Sequence, residues 1–96
     1  MIAPRKKPSF SLGRVVATSG ALDALETAGD NLSVFLSRHA NGDWGLVSVE
    51  DAAMNDEALR HGDRVLSAYK TSLGTKLWII TEADRSATTV LLPSEY

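Results

Sequence analysis

From Val65 onward the chain alternates as β-strands do. Val65, Leu66, Ala68 and Tyr69 open one strand, Leu77, Trp78, Ile79 and Ile80 fill a second over 76–82, and a third covers 87–92. Pro93 ends the third because proline cannot donate to a ladder. Leu73-Gly74 supplies the first hairpin turn, and the polar hexad Thr81-Glu82-Ala83-Asp84-Arg85-Ser86 supplies the second. Connections this short make neighbouring strands antiparallel. On the middle strand Trp78 and Ile80 fall on one face, and Leu77, Ile79 and Thr81 on the other. Both faces are apolar, so the pattern asks for helices over one and for the N-terminal segment or another chain over the other; an uncovered face would mark an interaction surface.

Upstream the period changes to that of helices. Ala21, Leu22, Ala24, Leu25 and Ala28 lie on helical spacing, with Thr18 or Ser19 as N-cap and Gly29 as the stop. Asn31 caps a second helix whose Leu32, Phe35, Leu36 and His39 fall near one face before Asn41-Gly42 ends it. Ser48, three residues before Asp51, opens a third helix through roughly residue 60, closed by His61-Gly62. Its apolar stripe of Val49, Ala52, Ala53 and Leu59, with Met54 nearby, is narrow, and Glu50, Asp51, Asp56 and Glu57 give it a wide acidic face. Phe10, Leu12, Val15 and Val16 have the apolar content of a short edge strand or a pinned extended segment.

Helices first and a meander last predict an α+β fold: two to three short helices packed on a three-stranded antiparallel meander, with room for a fourth strand. A chain of 96 residues is expected to be one globular domain over 10–96, able to bury roughly 60 to 65 per cent of its unfolded surface. Pro4 and Pro8 bracket Arg5, Lys6 and Lys7, so residues 1–9 read as a flexible basic arm.

Charge changes the picture of partners. Arg5, Lys6, Lys7 and Arg14 put four positive charges on the first 14 residues with no acid, whereas the remaining 82 carry six bases against twelve acids. An acidic body repels a phosphate backbone, so nucleic-acid binding is expected only through the basic arm. The chain has no cysteine, which removes disulfides, thiolate metal sites and thiol nucleophiles and fits a reducing cytoplasm. The longest apolar run of the strands, 77–80, is far too short to cross a bilayer, and no apolar run follows the basic start as a secretory signal requires.

Candidate chemistry is sparse. His39 and His61 stand 22 residues apart with no third ligand at recognisable spacing, so no metal is expected. Without a glycine-rich phosphate loop, a Gly-x-Ser-x-Gly elbow or a triad spacing, no cofactor is expected either. One catalytic constellation remains open: phosphodiester cleavage needs a general base and a cation for the phosphorane charge, roles that His39 or Glu82 with Arg85 and Lys70 would fill if they converge. The other reading of the Glu82-to-Arg85 turn is an ordinary polar hairpin loop. Trp44, in Gly42-Asp43-Trp44-Gly45, has two destinations as well: the core, or a partner as a binding anchor. The binding surface then comprises Trp44, Asp43, Glu50, Asp51, Asp56, Glu57, Asp84 and Arg85.

Ser37-Arg38-His39, Gly42-Asp43-Trp44-Gly45, Leu66-Ser67-Ala68-Tyr69 and the stretch Lys-Leu-Trp-Ile-Ile-Thr-Glu-Ala-Asp-Arg-Ser-Ala-Thr-Thr-Val-Leu-Leu-Pro-Ser-Glu-Tyr at 76–96 resemble a family of small, uncharacterised bacterial proteins borne on plasmids and integrative elements. The resemblance covers about residues 10–96 and implies a mobile genetic element as setting, with no catalytic residues to transfer. It implies a non-catalytic accessory protein that binds a host or element-encoded protein, including a CRISPR or restriction component. The element order also resembles barnase-like and RelE-like ribonucleases at fold level, which implies a small ribonuclease or toxin as the alternative.

Overall fold

The computed structural model describes residues 10–96, so the basic arm expected at 1–9 lies outside the described residues. In chain order the elements are β1 (Arg14–Ala17), α1 (Ser19–Ala28), α2 (Leu32–Ala40), α3 (Val49–His61), β2 (Val65–Lys70), β3 (Lys76–Thr81) and β4 (Ala87–Leu91), followed by a 3-10 turn at Pro93–Glu95. Three helices pack on a four-stranded sheet, an α+β fold. No helix among the described residues is long and apolar enough to cross a membrane.

Local chemistry starts each helix where the pattern places it. The Thr18 hydroxyl accepts the Ala21 N–H at 3.1 Å, Asn31 Oδ1 accepts Ser33 N–H at 2.9 Å and Ser48 Oγ accepts Asp51 N–H at 3.0 Å. Each supplies a partner to a first-turn donor that the helix itself leaves open. Left-handed Gly29 and Gly62 end α1 and α3.

The sheet order is β1-β4-β3-β2. β2 with β3 and β3 with β4 are antiparallel as expected, but β1 runs parallel to β4, which corrects the all-antiparallel meander. The reason lies at Gly13. Its φ is +62°, and an added Cβ would stand 2.4 Å from the carbonyl oxygens of Arg85 and Ser86, so only glycine lets the chain pass so close to the β3–β4 turn. Arg14 N–H then donates to Ser86 O at 3.0 Å, which sets the start of β1 beside the start of β4. Two strands that begin together run in the same direction, and the three helices form the crossover.

Alternation divides the sheet cleanly. Tyr69, Leu77, Ile79 and Val90 face α1 and α2, where they pack with Ala21, Leu25 and Phe35 in the main core. Each fully buried leucine, isoleucine or valine among them contributes about 1.5–3 kcal/mol. A second cluster of Trp44, Ala58 and Val65, with Phe10 and Val47 against it, closes the α3 end. On the opposite face, among the described residues, the C-terminal turn lies over the middle strand: the Tyr96 ring packs edge-on against Trp78 at 5.5 Å, and its hydroxyl accepts from Arg64 Nη2 at 3.0 Å.

α3 departs from its expected stripe. Val49 and Met54 are 84% and 67% exposed and Ala53 is exposed too, while Asn55 and Ala58 are buried. The helix docks against the edge of β2, where the Asn55 carboxamide behaves like a peptide group of a neighbouring strand. Its Nδ2 donates to Leu66 O at 2.8 Å and its Oδ1 accepts Leu66 N–H at 3.2 Å. Ala52 and Leu59 of the expected stripe do pack against the second cluster, and polar pairing by Asn55 adds to them at the strand edge.

Candidate functional site

The residue types that suggested catalysis meet, but inside the core. α2 carries His39 between β2 and β3, fully buried, with Nδ1 2.5 Å from Ser67 Oγ and Nε2 2.8 Å from Thr81 Oγ1. Thr81 Oγ1 is 2.7 Å from Thr88 Oγ1, which in turn donates to Leu12 O at 2.7 Å. Five groups thus form one chain of hydrogen bonds.

Its far end fixes its direction. The Leu12 carbonyl can only accept, so the single Thr88 proton points to it, and Thr88 accepts from Thr81. The Thr81 proton is then committed, so Thr81 accepts from Nε2–H of His39, and Nδ1 accepts the Ser67 hydroxyl proton. One neutral tautomer, protonated at Nε2, satisfies every member. Burial, with the Arg85 charge adding to it, pushes the imidazole from its ordinary 6.5 down to about 4. Phe10 and Trp44 pack edge-on to the ring with centroids at 5.3 and 5.7 Å.

Arg85 is engaged with carbonyl oxygens. It adopts a left-handed φ of 62° in the β3–β4 turn. Its Nη1 donates to Asp63 O at 2.7 Å and Glu82 O at 3.0 Å, and its Nη2 to Ala58 O at 3.3 Å. The guanidinium therefore holds the C-terminal end of α3 against the turn, where a cation also complements the helix dipole. Replacing Arg85 by Met, which keeps much of the stem, is expected to cost about 2 kcal/mol. Urea denaturation measures it.

The other catalytic candidates stay apart. Lys70 ends β2 opposite Lys76, five positions along from Val65, the partner of Thr81, which is roughly 17 Å at strand rise. Glu82 and Asp84 are exposed on the turn, and the Ser86 side chain and N–H hold the Asp84 carboxyl below its usual range. Among the described residues no group of three His, Cys, Asp or Glu is placed to hold a metal ion.

The expected binding residues divide in the same way. Trp44 takes the core position: it is buried, and its indole N–H donates to Asp56 Oδ1 at 3.0 Å. Asp43 accepts from Arg38 Nε at 2.7 Å, and its own carbonyl accepts the Tyr69 hydroxyl at 2.6 Å. Burial pushes that phenol up to about 12. Glu57 pairs with Arg60 and lies 3.0 Å from His61 Nε2. Exposed Glu50 and Asp51 remain on the first turn of α3, where acids suit the helix dipole.

Asp51 borders a feature that the sequence pattern did not reveal. A cleft of about 390 Å³ lies between α3 and the start of β2, lined by Val47, Asp51, Met54, Asp63, Arg64 and Leu66 among others. Met54 in its lining is exposed, as are Leu46 and Val49, neighbours in sequence of the lining residues, with Leu46 57% exposed. Leu46 is held there because Trp44 to Leu46 adds to the β2 edge: Ala68 N–H donates to Trp44 O at 3.1 Å and Leu46 N–H to Ala68 O at 2.7 Å. Met54 stands near the apolar positions of α3, and Leu46 and Asp63 fall outside every periodic segment, so the pattern marks none of the three as a surface. The available signal was Asn55, whose position between Ala52 and Ala58 centres the buried stripe on a polar residue and turns Met54 outward.

Searched against family models, curated proteins and solved structures, the chain matches none.

Proposed function

We propose that this protein is a non-catalytic binding module, and that its partner is a protein presenting a basic segment with apolar side chains. The cleft between α3 and β2 carries the reading. It offers Met54 and Leu66 as apolar ground and Asp51 and Asp63 as carboxylates, with Arg64 also in its lining and donating to the Tyr96 hydroxyl. An exposed methionine beside aliphatic side chains suits a protein interface, and acids around it favour partners of opposite charge. In the setting implied by the resemblance, that partner is a host defence protein of CRISPR or restriction type, whose nucleic-acid-binding surface an acidic domain would occupy.

The ribonuclease alternative draws no support from the site geometry. A general base must reach the proton that it removes, but both His39 nitrogens are occupied in the core, while Arg85 is spent on carbonyl oxygens.

The test is an amide NMR titration with a synthetic Lys/Leu amphipathic peptide, alongside a Glu/Leu peptide of the same length. The basic peptide is expected to shift Leu46, Met54 and Asp63, with binding weakened at least tenfold by Met54→Glu and by added salt. Equal response to both peptides, or shifts spread evenly over the surface, would contradict the reading. So would RNA cleavage by the pure protein that disappears in His39→Ala or Arg85→Ala.

A further inference from the structure

The two edges of the sheet are treated differently. On the β2 side every described feature closes the edge: Trp44 and Leu46 bond to Ala68, and the Asn55 carboxamide takes both polar groups of Leu66. On the β1 side nothing does among the described residues. Arg14 and Thr18 donate inward to Ser86 O and Val90 O, both at 3.0 Å. Strand alternation therefore turns the N–H and C=O of Val15 and Ala17 outward, and these groups have no partner among the described residues. Natural edges are usually blunted by lysine, proline, a bulge or a covering loop. Among the described residues the strand Arg14-Val15-Val16-Ala17 has none of these, and its valines are 40% and 42% exposed on opposite faces.

We propose that β1 is the docking edge for a second copy of this chain, the two β1 strands pairing antiparallel about a two-fold axis at Val16 to join two four-stranded sheets into one of eight strands. The strand is self-complementary in this register. Its outward residues, Val15 and Ala17, lie symmetrically about Val16, so Val15 of one copy faces Ala17 of the other and all four outward groups of each strand find partners. That is the isologous contact which two-fold symmetry requires. Val16 meets Val16 across the axis as a close β-branched pair on the face away from the helices.

Charge agrees with this register. Arg14 falls opposite Thr18 of the second copy, whose hydroxyl donates to the Glu95 carboxylate at 2.6 Å. Each Arg14 is thus brought within reach of a Glu95 across the axis, and no like charges stand directly opposite along the paired strands. A four-residue edge is short for a permanent interface, so the association is weak and concentration-dependent. It uses a surface distinct from the α3–β2 cleft and does not rest on the binding role proposed for it.

Sedimentation of the pure full-length chain over a concentration series tests this. The apparent mass is expected to climb toward twice the chain mass. Val16→Lys, which sets two ammonium groups against each other at the axis, should return it to monomer with an unchanged circular dichroism spectrum. Arg14→Glu, now facing Glu95, should raise the dimer dissociation constant about tenfold. Because the chain has no cysteine, Val16→Cys treated with oxidised glutathione should form a covalent dimer, and Leu73→Cys on the exposed hairpin turn should do so much more slowly. A chain that stays monomeric at every concentration, a dimer that survives Val16→Lys, or equal cross-linking of the two cysteine variants would overturn the proposal.

Discussion

Between pH 6.5 and about pH 4 the domain is expected to lose about 3 kcal/mol of folding stability through His39 alone. In the unfolded chain the imidazole takes up its proton at the ordinary value of 6.5, whereas in the folded protein burial and the nearby Arg85 hold protonation off until about 4. Between these values the unfolded state binds more protons, so stability rises with pH across the window and is flat above it. At about 1.4 kcal/mol per pH unit the window amounts to the figure given. A second proton on the ring would sit at Nδ1 and require the Ser67 hydroxyl to turn from donor to acceptor. Urea denaturation at a series of pH values should show the slope, and His39→Gln, less stable throughout, should lack it. The exposed carboxyls of Asp84 and Glu95 are also depressed, but from values near or below 4.5, so their losses come mostly at lower pH.

Gly45→Ala is expected to destabilise the fold by about 3 kcal/mol or more, a large share of the roughly 5–14 kcal/mol available to a chain of this length. At φ +74° an L side chain costs about 1 kcal/mol to begin with. The new Cβ would stand 2.0 Å from Ala68 O and 2.7 Å from the Tyr69 ring. Rotating a side chain cannot remove a backbone oxygen, so the segment must lift off β2. Lifting it gives up the two bonds that join Trp44 and Leu46 to Ala68, at about 1 kcal/mol each, and loosens Trp44 in its cluster. Gly29→Ala is the matched control: its φ is +71° but nothing lies within 4 Å of the added atom, so only the conformational cost of about 1 kcal/mol should appear. Thermal or urea unfolding that ranks the two variants equally would contradict the account of the β2 edge.

What could be read from the sequence is what local chemistry decides. Thr18, Asn31 and Ser48 cap within three residues of themselves, and Leu73-Gly74 turns the chain between strands that adjoin it, so these features follow from short windows. The alternation of Leu77, Trp78, Ile79 and Ile80 likewise gives the two faces of β3 without further knowledge. The direction of β1 could not be read, because it depends on Gly13 meeting the β3–β4 turn and on Leu12 accepting from Thr88, 76 residues away. His39 could be placed on the right face of α2, but its partners Ser67 and Thr81 lie 28 and 42 residues off, and a catalytic histidine looks no different in sequence from a sealed one. The cleft was hidden because Asn55, a residue that helix patterns treat as exposed, is the one that binds the β2 edge.

Among the described residues, the cluster that resembles catalytic machinery is a closed chain of hydrogen bonds from Ser67 through His39 to Leu12. Nitrogen-15 NMR of the histidine rings across a pH titration tests it most directly. His39 is expected as the neutral Nε2–H tautomer that takes up no second proton down to about pH 4. A ring that titrates near 6.5, or that carries its proton on Nδ1, would contradict it.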